Sequence, residues 1–300
     1  MQNNVRVGTA SWTDPTLIAC GRFYPADVVT PEQRLRFYAS RFPIVEVDSS
    51  YYALPDPLVA HRWASRTPAD FIFNIKAFRL FTGHQTPPAA LPADIRRSMT
   101  INKPMLYYRD VPGELRDELW RRFLIAVEPL RMTSKLGAIH FQFAPWVQRT
   151  PRNIAHIEHC ANQMQEHTMA IELRDQSWFE GVQAKATLAL ERELGAVHVV
   201  VDGPQGFANT VPDVWETTHP DLAIVRLHGR NTAAWNNQSG ASSGRFVYEY
   251  SPEELAQIAE RIQRMAKAVT NAHVLLNTNF EDQGTRNAGK LRNALATLPP

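Results

Sequence analysis

Val5-Arg6-Val7-Gly8-Thr9-Ala10-Ser11-Trp12 opens the sequence as a β-rich run, Val5–Ser11, and ends without a GxGxxG. An open doubly wound sheet often carries a Gly-rich phosphate loop after its first strand. Its lack here places a closed barrel ahead of that fold. Seven more β-rich runs follow, at Ile44–Asp48, Phe71–Lys76, Ala138–Phe143, Met169–Leu173, Val197–Val201, Ala223–Leu227 and His273–Asn277. Segments of helical period separate most of them, the pattern of βαβ units and a parallel sheet.

Several helices mark their own starts. Thr30-Pro31 with Gln33, and Ser251-Pro252 with Glu254, have capping-box spacing with proline at the first helical position. Thr150-Pro151 opens another helix, and Leu255, Ile258, Ile262, Met265 and Val269 form a core stripe after Ser251. The expectation is an α/β protein, a single (β/α)8 TIM barrel over residues 1–300, with long loops after strands 3 and 7. These loops are Gly83–Pro112, rich in proline and basic residues, and Arg230–Glu249, with Trp235, Phe246 and Tyr248 embedded. Both leave the catalytic face of a barrel, where long connections tend to be functional.

Composition narrows the function classes. Lys+Arg total 32 and Asp+Glu 30, a net charge of +2, which argues against bulk electrostatic wrapping of nucleic acid. Two cysteines, Cys20 and Cys160, make neither a disulfide framework nor a zinc pattern. No signal-peptide pattern and no bilayer-length apolar run is present, so a cytoplasmic protein with no membrane partner is expected.

Strand parity points to a site. Side chains alternate between the barrel interior and the helices, and the apolar set must meet the helices. Val45 and Val47 leave Glu46 and Asp48 on the other face; Phe71, Phe73 and Ile75 leave Asn74 and Lys76. In the same way His140 and Gln142, Glu172 followed by Arg174, Asp202, Arg226 and His228, and Leu275 and Asn277 oppose the helix-facing set. For Asp202 that set is Val199 and Val201. The polar members gather at the C-terminal strand ends, where barrel enzymes keep their chemistry. For Glu46 and His140, which lie deeper, structural ion pairing is the expectation.

The residues also resemble a known family. Gly8-Thr9-Ala10-Ser11-Trp12 is similar to the GTSGW opening of the YecE-like family, with Ala10 and Ser11 in place of Ser-Gly. Gly21-Arg22-Phe23-Tyr24-Pro25 resembles its G-x-FYP, and Val45 to Pro55 its VEIN-S/T-FY-x-x-P, with Asp48 and Tyr51 replacing Asn and Phe. Thr67-Pro68 through Lys76 to His84, and Leu136-Gly137 with Gln142 and Pro145, follow in order. So do Glu172-Leu173-Arg174 with Ser177-Trp178, then Asp202, Arg226-Leu227-His228-Gly229-Arg230-Asn231 with Trp235 and Tyr248, and Asn277 with Asn287-Ala288. The resemblance implies a TIM barrel and a domain of unknown function, with no established activity, substrate or cofactor.

Three readings of the site follow. The first is an enzyme of hydrolase, isomerase or lyase type. Glu172 and Asp202 divide acid and base roles and His228 shuttles the proton. Lys76, Arg174, Arg226 and Arg230 hold a phosphorylated or carboxylated sugar- or nucleotide-like molecule. Trp12, Tyr51, Tyr52 and Trp178 stack on its ring, and Asp48, His84, Gln142 and Asn277 complete the binding set. The second is a metal-dependent phosphodiesterase or nuclease-like barrel, with Glu46, Glu172, Asp202 and His228 around a divalent ion. The third is a binding module for single-stranded nucleic acid or a metabolite, with Arg96-Arg97 and Arg121-Arg122 as flanking basic segments. His156, His159 and His167 read as a solvated helix face.

Overall fold

A computed structural model describes residues 4–164, 166–207, 210–235, 242–278 and 280–299, with the side chains at 235, 242 and 243 outside that description. Eight parallel strands close in chain order into one barrel. They are β1 Val5–Ala10, β2 Ile44–Val47, β3 Ile72–Lys76, β4 Leu136–Gln142, β5 Met169–Glu172, β6 Val197–Asp202, β7 Leu222–Leu227 and β8 Asn271–Leu276. Each lies within two residues of its β-rich run. No helix among the described residues is long and apolar enough to cross a membrane.

The helical starts form as the sequence predicts. Pro31–Arg41 and Pro252–Ala266 each begin with a complete capping box, on Thr30 and Ser251. Thr150 caps Pro151–Gln163 by accepting from the Asn153 amide. Their apolar faces pack on the outer side of the sheet. Trp12 sits in that layer, edge-on to Trp63 at 5.7 Å, and Trp120 stacks on Phe81 at 3.6 Å.

Two features depart from the expected pattern. Among the described residues of 203–221, between β6 and β7, no helix forms. Gly203, Pro204, Gly206, Pro212 and Pro220 break any helical run there. Val211, Val214 and Trp215 pack on the core where a helix would lie. The second departure concerns parity on β6. In register, Val199 lies beside Ile224, Val201 beside Arg226 and Asp202 beside Leu227. Val197 and Val199 join Ala138, Ala170, Leu222 and Ile224 in an apolar layer inside the barrel. Asp202 therefore shares the helix-facing parity of Val200 and His198, opposite to the expectation. Valines on both faces of β6 leave no polar alternation to read, as in strands buried on both sides.

The post-β3 connection is built rather than open. It contains helix Ala93–Arg97, an antiparallel bridge between Thr86 and Leu106, and buried Leu91, Ile95, Leu106 and Val111. His156 and His159, expected on a solvated face, are half-buried and hold this connection down. His156 Nε2 meets the Phe81 carbonyl at 2.8 Å and His159 Nε2 the Tyr108 hydroxyl at 2.7 Å. The post-β7 connection carries short helical turns at Thr232–Trp235 and Ser242–Phe246. Residues 236–241 and the Trp235 side chain lie outside the described residues.

Ser11 just past β1 has φ 99°, a backbone state that favours glycine, and it stands where the family pattern has Gly. Ser11→Gly is expected to raise unfolding stability by up to about 1 kcal/mol, read by urea denaturation. A fall in stability would show that the Ser11 hydroxyl, which accepts from the Thr13 amide at 3.1 Å, outweighs the strain.

Candidate functional site

The charged interior begins one layer above the apolar floor. Asn74 and His273 meet there at 3.2 Å. Above them Arg226 on β7 spans the barrel: its Nη2 donates to Glu46 Oε1 and its Nη1 to Glu172 Oε2, both at 2.6 Å. His140 on β4 lies between the same carboxylates, with Nδ1 at 3.0 Å from Glu46 and Nε2 at 3.1 Å from Glu172. These two histidine contacts are close but poorly aligned for hydrogen bonding. All four side chains are buried.

Burial alone would raise both glutamate pKa values. The Arg226 guanidinium outweighs it, with His140 adding at Glu46 and His228 at Glu172, so both stay ionised well below the usual carboxylate range. The structural ion pairing expected of Glu46 and His140 extends to Arg226.

The next layer reaches the mouth. Arg174 Nη1 donates to Glu172 Oε1 at 2.9 Å and lies 3.4 Å from His228 Nε2. Asn277 Nδ2 donates to His228 Nδ1 at 2.8 Å, which leaves the proton of the neutral ring on Nε2, 3.3 Å from Glu172 Oε1. Burial pushes His228 down to about 3; Glu172 opposes the shift, and Arg226 and Arg174 add to it. Phe246 lies beside the ring at 5.6 Å. Gln142 is in register with Glu172 and is half-buried.

Asp202, on the other parity, is engaged elsewhere. Both its oxygens accept from Arg230, and Oδ1 also accepts from the Tyr250 hydroxyl at 2.8 Å. Arg230 reaches on to Glu254, and Tyr250 accepts from the Gly229 amide. Gly229, at φ 81°, has no room for a side chain, because a Cβ would lie 2.5 Å from that of Tyr248. This network fixes the chain leaving β7. It places Asp202 and Arg230 outside the Glu172 cluster.

On the opposite rim, Lys76 lies 3.3 Å from Asp48. Lys76 and Arg79 each sit 5.1 Å from the centre of the Tyr51 ring. Tyr51 packs edge-on to His84 at 5.2 Å, and His84 to Trp146 at 5.8 Å. Burial, then Lys76, Arg79 and Arg174 in turn, push His84 down to about 3. Tyr52 and Trp146 are the open aromatics of this rim, 61% and 51% exposed.

The structure thus brings together Lys76, Asp48, Tyr51 and His84 on one side, and Glu172, Arg174, Arg226, His228 and Asn277 on the other. Trp12 and Trp178 are not with them. Both are buried, and Trp178 donates to the Val147 carbonyl at 2.7 Å. Arg79 and Trp146 carry no mark in the sequence because neither falls on an alternating strand position or on a residue of the family motifs. Only the Lys76-x-x-Arg79 spacing could have pointed to Arg79.

The proposed metal ligands do not converge: Glu46 and Glu172 grip Arg226, and Asp202 faces the helices. Among the described residues no group of three or more His, Cys, Asp or Glu side chains is arranged to hold an ion. Of the basic flanks, Arg121 pairs with Glu118, and Arg122 with both Glu118 and Asp94.

A family model described as "Protein of unknown function DUF72" matches residues 6–299. The chain belongs to the DUF72 family. The motif resemblance leads to this same family under another name. The DUF72 chain is 29% identical over 278 residues to the UPF0759 protein YunF of Bacillus subtilis (strain 168), covering 92% of this chain and 89% of that one. A crystal structure of a DUF72 protein from Enterococcus faecalis V583 superposes with TM-score 0.80 at 25% identity, covering 99% of this chain and 97% of that one. One from Thermotoga maritima MSB8 superposes with TM-score 0.75 at 26% identity, covering 97% and 99%.

Proposed function

We propose that this DUF72 barrel is an enzyme that performs acid–base chemistry at the C-terminal mouth on a small anionic molecule, a phosphorylated or carboxylated sugar or nucleotide-like compound. One observation carries the reading: Arg174 Nη1 donates to Glu172 at 2.9 Å and lies 3.4 Å from His228 Nε2, so one rim cation faces both groups. Arg174 is half-buried at the rim, while both its partners are buried beneath it.

This arrangement couples binding to proton transfer. In the free protein two arginines and burial keep His228 neutral. An anion bound to Arg174 offsets that cation and raises the affinity of His228 for a proton. Glu172, held ionised by Arg226, stabilises the imidazolium as it forms. Asn277 holds the ring at Nδ1, and turning its amide to present Oδ1 there lets that nitrogen take the proton; a base held by a third group is the usual pattern for an activated site. Glu172 therefore supports the histidine, and Asp202 anchors the post-β7 chain rather than acting as its acid–base partner.

The test is turnover across a panel of phosphorylated and carboxylated sugars and nucleotides. On an active compound, His228→Gln is expected to lower kcat by about 100-fold, the scale of one lost acid–base group, with KM little changed. Arg174→Met is expected to raise KM as well. Full activity in His228→Gln would overturn the assignment.

A further inference from the structure

We infer that the mouth carries a phosphate subsite formed by Lys76, Arg79 and Arg174, built for the dianion of a phosphate monoester. This rests on the reading of the mouth as a ligand site and names the class of ligand.

Lys76 and Arg79 share the Tyr51 ring and Arg174 borders the same mouth from the end of β5, with too little negative charge to answer the three. Lys76 has Asp48 at 3.3 Å and Arg174 has Glu172 at 2.9 Å, but Glu172 is already shared with Arg226. Arg79 has no carboxylate partner among the described residues, and its Nε is buried without an acceptor. Its visible partner is the face of Tyr51, which Lys76 also contacts. Tyr51 in turn touches His84, the side chain on which the charges of all three cations act. Like charges at the mouth raise the free energy of the empty site, and a bound anion relieves them.

The charge favours phosphate over carboxylate. A carboxylate brings one charge and two oxygens, a match for one guanidinium fork. A phosphate monoester brings close to two charges and three terminal oxygens near neutral pH, a match for two guanidinium groups and an ammonium. In many TIM barrels the phosphate lies at the loops after strands 7 and 8. Here the cation in that region, Arg230, is held by Asp202 and Glu254, which moves the available positive charge to the loops after β3 and β5. Beside it, the open face of Trp146 offers a stacking surface for the rest of the molecule.

The probe is inorganic phosphate at pH 8, titrated calorimetrically, with acetate at matched ionic strength as the comparison. Saturable binding of phosphate and none of acetate is expected. Arg79→Met should weaken phosphate binding about tenfold or more while the ligand-free Tm stays within about 2 °C, since no ion pair is lost. Arg79→Lys should fall between the two. A second readout is the His84 ring proton in NMR: its pKa should rise with phosphate in the wild type and hold still in Arg79→Met. Phosphate binding by Arg79→Met equal to the wild type would overturn the subsite, as would equal binding of acetate or no saturable phosphate binding.

Failure of the two readings is separable. If Arg79→Met loses phosphate while His228→Gln keeps full turnover, the subsite stands and the reaction assignment falls. If Arg79→Met binds phosphate normally while His228→Gln is inactive, the reverse holds.

Discussion

Arg226→Met is expected to lower the Tm by on the order of 10 °C or more, because it removes the cation from between two buried carboxylates. Breaking a buried ion pair from one side costs about 3–5 kcal/mol, and here Glu46 loses its guanidinium partner while Glu172 is left with Arg174 alone. That is a large part of the roughly 5–15 kcal/mol that holds a typical domain folded. The penalty is electrostatic rather than steric, so neutralising the carboxylates should return most of it. The triple variant Glu46→Gln, Glu172→Gln, Arg226→Met is expected to melt well above Arg226→Met alone. Thermal denaturation followed by circular dichroism compares the three proteins. If the triple variant melted no higher than the single one, loss of guanidinium packing and not orphaned charge would be the cause.

Stability should also fall steeply in mild acid, by up to about 4 kcal/mol per pH unit near pH 5. His84, His228 and His273 are each pushed down to about 3, in every case chiefly by burial. In the unfolded chain a histidine takes up its proton near 6.5. Between these values the unfolded state binds one more proton per histidine, so the free energy of unfolding drops as pH falls, by about 1.4 kcal/mol per proton per unit. The depressed pKa values of Glu46 and Glu172 act in the same direction at lower pH, below their unfolded value near 4.3. His198, raised because Glu191 outweighs its burial, acts oppositely: its contribution is present below 6.5 and is lost as pH rises through its folded value. Urea denaturation at pH 7, 6 and 5 measures the slope, and His273→Asn should reduce it by about one proton. A flat profile from pH 7 to pH 5 would mean that these rings are charged in the folded barrel.

The barrel was legible in the chain because each strand announced itself as a short apolar run and the major helices carried their own caps. The inward polar set was legible on β2, β3, β4, β5 and β7 for the same reason, a clear alternation of one apolar and one polar face, while on β8 Leu275 interrupts it before Asn277. On β6 it failed. Val197, Val199, Val200 and Val201 occupy both faces, and only pairing with β7 shows that Asp202 turns outward. Aromatic type was a poor guide to the mouth. Trp12 and Trp178 sit near strand ends in sequence yet fill the helix layer, while Trp146, in an Ala-Pro-Trp segment, is the open one. Which charges pair was not legible either, since Arg226 meets Glu46 from 180 residues away.

That separation has a consequence for how the chain reaches its native state. Glu46 and Glu172 are synthesised well before Arg226, and a nascent chain ending at β5 holds both carboxylates with no guanidinium to share between them. Desolvating the pair at that stage is uphill, so the early strands are kept from collapsing into a sealed half-barrel that would have to reopen. On this argument closure should wait for β7, with the charge triangle expected to form on the native side of the rate-limiting barrier. Substitutions at Arg226 should then leave the refolding rate nearly unchanged and speed unfolding, as for contacts absent from the transition state. On this argument the buried carboxylates delay closure, and the guanidinium that arrives last holds the barrel shut.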